Sequence, residues 1–178
     1  FDAPVVEVFE TRAEAIHPGL APLGPDLAAA SFDEATAVAR LRDPSRSRTP
    51  IGEALLDQRV MAGVGNVFRS EILYLERTDP FAVTGSLDDA MLGRLVATAR
   101  RLLQANIGPR AGRTRVTTGR AREAAGAPLW VYGRAGRPCR RCGTPIRARR
   151  TGRDLPRSVF WCPRCQAPAG RSGVGDAP

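Results

Sequence analysis

The chain has 178 residues, 27 basic against 18 acidic, and a formal charge of +9; every basic residue is Arg. A sequence without Lys excludes mechanisms that need a lysine amine as Schiff base, general base or phosphate-loop residue, and a single His excludes the common His-rich catalytic metal sites. The composition, 43% hydrophobic and 25% charged, suits one globular domain or two small ones; no apolar run approaches the ~18 residues of a membrane span, and Phe1-Asp2-Ala3-Pro4 lacks the basic and apolar regions of a secretory signal.

Pro4-Val5-Val6-Glu7-Val8-Phe9 is short, apolar and β-branched, so residues 1–16 are expected to hold one strand. A lone terminal strand needs a sheet to join, and no convincing second strand follows before the cysteine region. The chain also opens on Phe1 rather than Met. A preceding sheet is therefore expected to be missing, the chain being processed or a piece of something longer. Residues 17–30, through His17-Pro18-Gly19 and Gly24-Pro25, are rich in Pro, Gly and Ala and read as a linker.

Four helical stretches follow. Ser31 with Glu34 makes a capping box ahead of a helix to about Leu41. Thr49-Pro50 reads as an N-cap and a proline at the first helical position, opening a helix over 51–58. Asn66 caps a third helix over 67–76, with Val67, Phe68, Ile72 and Leu75 on an apolar face. Ser86-Leu87-Asp88-Asp89 opens the longest, to about Ala105, whose Met91, Leu92, Leu95, Val96, Ala99, Leu102 and Leu103 recur with the helical period. These stripes predict a helical core. Residues 106–128 show no period and hold Arg110, Arg113, Arg115, Thr117, Thr118, Arg120 and Arg122; a long exposed loop is expected, mobile without its ligand. Residues 129–166 form a separate unit, and 167–178 are expected to be a disordered tail.

The charge is divided unevenly. Residues 1–90 carry 8 Arg and 15 acids, a net of −7, whereas residues 91–178 carry 19 Arg and 3 acids, a net of +16. A GC-rich genome explains Arg in place of Lys but not the loss of acids from one half. The asymmetry points to a polyanion, nucleic acid first and an anionic membrane surface second.

Cys139-Arg140-Arg141-Cys142 and Cys162-Pro163-Arg164-Cys165 give the spacing C-x2-C-x19-C-x2-C. Two such turns place four thiolates around one tetrahedral ion, so one structural Zn²⁺ is expected on Cys139, Cys142, Cys162 and Cys165. Two disulfides would need an oxidising compartment, and a redox pair would need a βαβ context. A closed set of four thiolates leaves no open position for catalysis. Ile146, Val159, Phe160 and Trp161 between the pairs suit a β-hairpin, and a unit this small needs the metal for stability. Nine Arg surround the cysteines, from Arg137 to Arg164, which makes the hairpin a nucleic-acid-binding device.

The second motif lies between two helices, at Gln58-Arg59-Val60-Met61-Ala62-Gly63-Val64-Gly65-Asn66. Gly63 and Gly65 allow positive φ and close approach of a ligand. Asn66 sits where free N–H groups and the helix dipole favour an anion. Taken alone, the segment is equally an ordinary glycine turn with an N-cap; the arginines and cysteines downstream favour a phosphate cradle.

Gly63-Val64-Gly65-Asn66-Val67-Phe68-Arg69-Ser70-Glu71-Ile72-Leu73, preceded by Leu55-Leu56-Asp57-Gln58, resembles the helix-two-turns-helix motif of the formamidopyrimidine-DNA glycosylase/endonuclease VIII family, nearer its endonuclease VIII-like branch. The run from Val131-Tyr132-Gly133-Arg134 to Cys165-Gln166 is similar to that family's zinc finger. The two motifs occur in the family's order and span residues 23–166. The resemblance implies a mainly α fold: a helix-two-turns-helix domain over 23–128, a zinc-ribbon hairpin over 129–166, and residues 1–16 as the last strand of a truncated β-sandwich. It implies DNA binding by Gly65 and Asn66 at the lesion, support of the motif or site by Glu71, and phosphate contact by Arg157 at the hairpin tip. It also places the 106–128 loop, with Arg113 and Arg115, near the damaged base.

Two departures stand out. The family attacks the sugar C1′ with an N-terminal Pro amine, helped by a neighbouring Glu and a phosphate-binding Lys, and this sequence begins Phe1-Asp2 and has no Lys. The gap between cysteine pairs is slightly long, which suggests an extended hairpin loop near Thr151-Gly152-Arg153-Asp154. The resulting expectation is the DNA-clamping part of a bifunctional glycosylase and abasic-site lyase, itself inactive. It would bind double-stranded DNA with a damaged base or abasic site as a monomer, away from membranes, in the bacterial cytoplasm at the nucleoid. A stand-alone damaged-DNA-binding zinc protein is the first rival, and a zinc-ribbon RNA-binding module the second.

Overall fold

The apolar positions at helical spacing collapse into one layer of packed helices, and the cysteine-rich segment folds against its side. The computed structural model describes residues 22–107, 117–118, 129–152 and 156–168. The strand expected over 1–16, most of the loop 106–128, part of the hairpin loop and the tail from 169 onward lie outside the described residues. Helices α1 (Glu34–Arg42), α2 (Ile51–Ala54), α3 (Asn66–Leu75) and α4 (Asp89–Ala105) are followed by strands β1 (Arg147–Thr151) and β2 (Arg157–Trp161). The fold is mainly helical, a helix-two-turns-helix body with a small four-cysteine hairpin. Among the described residues, no helix is long and apolar enough to cross a membrane.

Helix ends differ from the sequence expectation in instructive ways. The cap of α1 is Asp33, whose carboxylate accepts the Thr36 N–H at 2.9 Å and the Thr36 hydroxyl at 2.5 Å. Ser31 and Glu34 therefore do not form the expected capping box; Glu34 is the first helical residue. Helix α2 is one turn and does not reach Gln58. The chain instead tightens, with Leu56 N–H on the Glu53 carbonyl and Asp57 N–H on the Ala54 carbonyl. Asp57 then accepts the Arg59 N–H and the Arg46 guanidinium, both at 2.9 Å. Pro50, not Thr49, is the cap residue, and the Thr49 carbonyl is taken by the Thr84 N–H and hydroxyl. In α3 the cap is Gly65, so Asn66 is the first helical residue. Asp88 caps α4 through the Met91 N–H at 2.7 Å.

The α4 stripe is the spine of the core: Leu92, Leu95, Val96, Ala99 and Leu102 are buried against α1 and α3. The stretch read as a linker is packed structure from residue 22 onward. Leu27 is fully buried, its N–H bonds the Ala62 carbonyl, and Gly24 N–H bonds the Gln58 carbonyl at 2.8 Å. A Cβ at Gly24 would lie 2.4 Å from the Val60 carbonyl oxygen, so only glycine permits this approach.

The hairpin pairs antiparallel, with Arg147 opposite Trp161 and Thr151 opposite Arg157. Strand β1 is nearly all exposed arginine and alanine, while β2 turns Val159 into the interior against α3. A second small core unites Tyr74 of α3 with Val131, Cys139, Ile146 and Cys162. Helix α3 thus belongs to both cores.

Candidate nucleic-acid interface and metal centre

The glycine turn is built around one amide side chain. Gln58 Oε1 accepts the Gly63 N–H at 2.9 Å, and its Nε2 donates to the Val64 and Leu56 carbonyls at 2.9 and 3.1 Å. Gly63 has φ +111°, a conformation that disfavours side chains. Gly65, expected to share it, has φ −104°. What its missing side chain provides is access, since a Cβ there would meet nothing within 4 Å. The N-terminus of α3, the positive end of the helix, lies beside this gap.

Two adjoining hollows of about 400 and 410 Å³ lie over the turn. Gly63, Gly65 and Arg157 line both; Asn66, Phe68 and Leu103 help to line the first, Gln58 the second. The structure therefore brings Gly65, Asn66 and Arg157 together from positions about 90 residues apart in sequence. Arg157 is exposed at the start of β2, and its guanidinium has no hydrogen-bond partner among the described residues. Arg113 and Arg115 lie outside the described residues.

Glu71 does not line either hollow. Expected from the resemblance, with the DNA-binding residues, to support the motif or the site, it is fully buried. Its carboxylate accepts the N–H groups of Trp130, Val131 and Tyr132 at 2.8, 2.9 and 2.9 Å, and the Thr117 hydroxyl. These four donors hold its carboxylate inside the protein. It fastens α3 to the segment entering the finger.

Arg69, three residues beyond Asn66 on the same helix, is a residue beside this site to which the sequence motif assigns no role. Arg69 is 1% exposed, donates to Asn66 Oδ1, and reaches the Thr151 hydroxyl at 3.4 Å. Burial chiefly lowers its pKa to about 10, with the nearby Arg157 charge adding to the shift and Glu53 opposing it. The available signal was an arginine inside an apolar helix face.

The four cysteine sulfurs all lie within 4.8 Å of one another. Cys139 and Cys165 are 3.9 Å apart, and Cys142 and Cys162 3.4 Å. A tetrahedral ion with sulfurs at about 2.3 Å needs sulfur–sulfur edges of about 3.8 Å. The cluster therefore fits one metal ion held by all four cysteines. None is in a disulfide. Backbone N–H groups of Arg141 and Cys165 point to Cys139 and Cys162 Sγ, both at 3.4 Å, as knuckle turns do. Burial works against ionisation of Cys142, but hydrogen bonds from Thr144 outweigh it and bring that thiol down to about 6. Burial pushes Cys162 and Cys165 up instead. A bound cation would hold all four as thiolates.

The hairpin is braced to the helices around this cluster. The Tyr74 hydroxyl lies 3.3 Å from Cys139 Sγ. Gln166 accepts the Cys162 N–H and donates to the Thr78 carbonyl, each at 2.9 Å. The Arg149 guanidinium lies 3.7 Å from the ring centre of Phe81, which meets Trp161 edge-on at 4.9 Å.

Residues 23–118 match the formamidopyrimidine-DNA glycosylase H2TH domain. A probable endonuclease 8 2 of Streptomyces coelicolor is 42% identical over 178 residues, covering 96% of this chain and 60% of its own length. The DNA-(apurinic or apyrimidinic site) lyase Nei2 of Mycolicibacterium smegmatis is 43% identical, with 91% and 65% covered. Among solved structures, Lactococcus lactis Fpg bound to abasic-site DNA superposes with a TM-score of 0.68 at 28% identity, over 88% of this chain and 56% of the other. The chain thus spans less than two thirds of the length of these relatives.

Proposed function

The chain belongs to the formamidopyrimidine-DNA glycosylase/endonuclease VIII family, on its endonuclease VIII-like side, and from that membership we propose that it is the DNA-clamping part of a base-excision glycosylase and abasic-site lyase. The observation that carries the proposal is the shared cleft, where the N-terminus of α3 at Gly65 and Asn66 faces the Arg157 guanidinium, which has no hydrogen-bond partner among the described residues. Such a cleft offers N–H donors and a positive charge to one anionic group, as a phosphodiester beside an extruded nucleotide requires.

One Zn²⁺ is the ion this thiolate set suits, held by Cys139, Cys142, Cys162 and Cys165. With four protein ligands it has no vacancy for water or substrate, so its task is to fix the hairpin. That hairpin carries Arg157 at its tip and Arg147, Arg149 and Arg150 along β1. The preferred ligand is duplex DNA containing a damaged base or an abasic site; the similar Lactococcus lactis structure holds DNA with an abasic site.

The proposal assigns the chemistry elsewhere. Family catalysis uses an amine at C1′ and a lysine on phosphate, and this sequence has no lysine. Fluorescence anisotropy with a duplex carrying a tetrahydrofuran abasic analogue tests the reading. Tight binding that weakens steeply with salt is expected, together with negligible borohydride trapping on natural abasic DNA. Failure to bind abasic duplex at low salt, or efficient covalent trapping, contradicts it.

A further inference from the structure

A guanidinium is an expensive group to bury, and removing one from water costs several kcal/mol unless partners replace the lost hydration. Arg69 is nonetheless 1% exposed, and its Nε has no partner among the described residues. It faces a void of about 10 Å³ shared with Glu53, Phe81 and Thr151. Helix α3 would be served at this position by an apolar residue. The two contacts that Arg69 does make are therefore informative: Asn66 Oδ1 on one side and Thr151 Oγ1 on the other.

The contact to Asn66 sets the direction of an amide. Its carbonyl end is committed to Arg69, which leaves Nδ2 as the end without a partner among the described residues, on a side chain that lines the cleft. An amide held this way presents donors. It suits a phosphate oxygen, which only accepts, and it no longer offers an acceptor to a hydroxyl or amine. The contact to Thr151 fixes the other side of the cleft, because Thr151 is the β1 partner of Arg157.

We propose that Arg69 is a positioning residue that orients the Asn66 amide as a donor and ties it to the hairpin tip carrying Arg157, so that both grip the same phosphate. This rests on the reading of the cleft as a phosphodiester site. Arg69 itself touches no phosphate.

The test uses the zinc-loaded chain, an abasic-analogue duplex and a salt series. Arg69→Met is expected to weaken binding about tenfold, the size of one charge-assisted hydrogen bond lost at the ligand, with the dependence of log K on log salt unchanged. Arg157→Ala is expected to lower that slope by about 1. In an Asn66→Ala background, Arg69→Met is expected to add little. Losses that multiply across Asn66 and Arg69, or a slope that falls by one in Arg69→Met, overturn the proposal.

A second measurement is independent of DNA. In the free protein, the Asn66 side-chain amide resonances are expected to move in both Arg69→Met and Arg69→Lys, with zinc content retained; resonances that stay in place overturn the proposal even if binding falls. Should Arg69→Met fail to fold, Arg69→Lys carries both measurements. A wild-type chain that ignores abasic duplex defeats the phosphodiester reading, and the amide resonances still decide whether Arg69 orients Asn66.

Discussion

The helical body and the four-cysteine hairpin are held together by different means. The body buries seventeen hydrophobic residues in one cluster, drawn from all four helices, from the turn between α2 and α3, and from the segment around Leu27. The hairpin's cluster has five, two of them cysteines and one, Tyr74, lent by α3. Apolar burial at about 25 cal/mol per Å² can sustain the first. It cannot sustain the second, which must draw on metal ligation and on contacts with the body. Order in the body is thus expected to be a property of the chain alone, and order in the hairpin to depend on a bound metal ion.

The sharpest way to break this contrast is to remove the metal. Cys162→Ser or a strong chelator should unfold residues 131–166 and lower abasic-DNA affinity by at least about a hundredfold, since structural zinc contributes on the order of 10 kcal/mol to such units. Helical circular dichroism should largely persist. Loss of the helical signal together with the metal would show that the two regions are one cooperative unit.

A core truncation works in the opposite direction. Leu95 is fully buried in the body, and Leu95→Ala should cost about 2–5 kcal/mol in urea unfolding while zinc stoichiometry stays at one. Glu71→Gln probes the joint. Its carboxylate holds three consecutive N–H groups and a hydroxyl; an amide would turn a donor toward donors. A loss of about 2–3 kcal/mol is expected, with zinc released faster to a chelator because the segment leading into the finger is freed.

The smallest effect concerns pH. Burial raises the Asp57 carboxyl, but hydrogen bonds from Arg46 and the Arg59 N–H, with both arginine charges, more than reverse this and hold it below its usual range. The folded state therefore binds this proton less readily than the unfolded chain does. The stabilisation is present above the ordinary carboxyl value of about 3.9 and is lost as pH falls through the lower folded value. Asp57→Asn should remove less than about 1 kcal/mol at neutral pH, as expected for a partly exposed pair, and should flatten the acid limb of the melting temperature.

Legibility in the sequence followed how local each signal was. The α4 stripe and the cysteine spacing are periodic and survive without tertiary information, and both appear where expected. Helix α2 stopped short because Asp57 gained two donors by leaving the helix, one of them the guanidinium of the distant Arg46. Strand β1, Arg-Ala-Arg-Arg-Thr, has no apolar alternation because it is exposed and borrows its register from β2. Gly65 and Asn66 stand out as a turn at a helix N-terminus and Arg157 only through the resemblance, and their meeting in one cleft follows from how α3 packs on β2. Glu71 and Arg69 were the hardest to place. Both are charged residues in an apolar helix face, and pattern alone does not tell whether such a residue faces a ligand or a neighbouring segment.

Helix α3 gives Ile72 and Leu73 to one core and Tyr74 to the other. With a single helix running through both, the two regions share one rigid element. Under the proposed DNA-binding role, a double helix seated against both would have to take up any curvature itself, so stiff tracts and pliable pyrimidine–purine steps should differ in how readily they are accommodated.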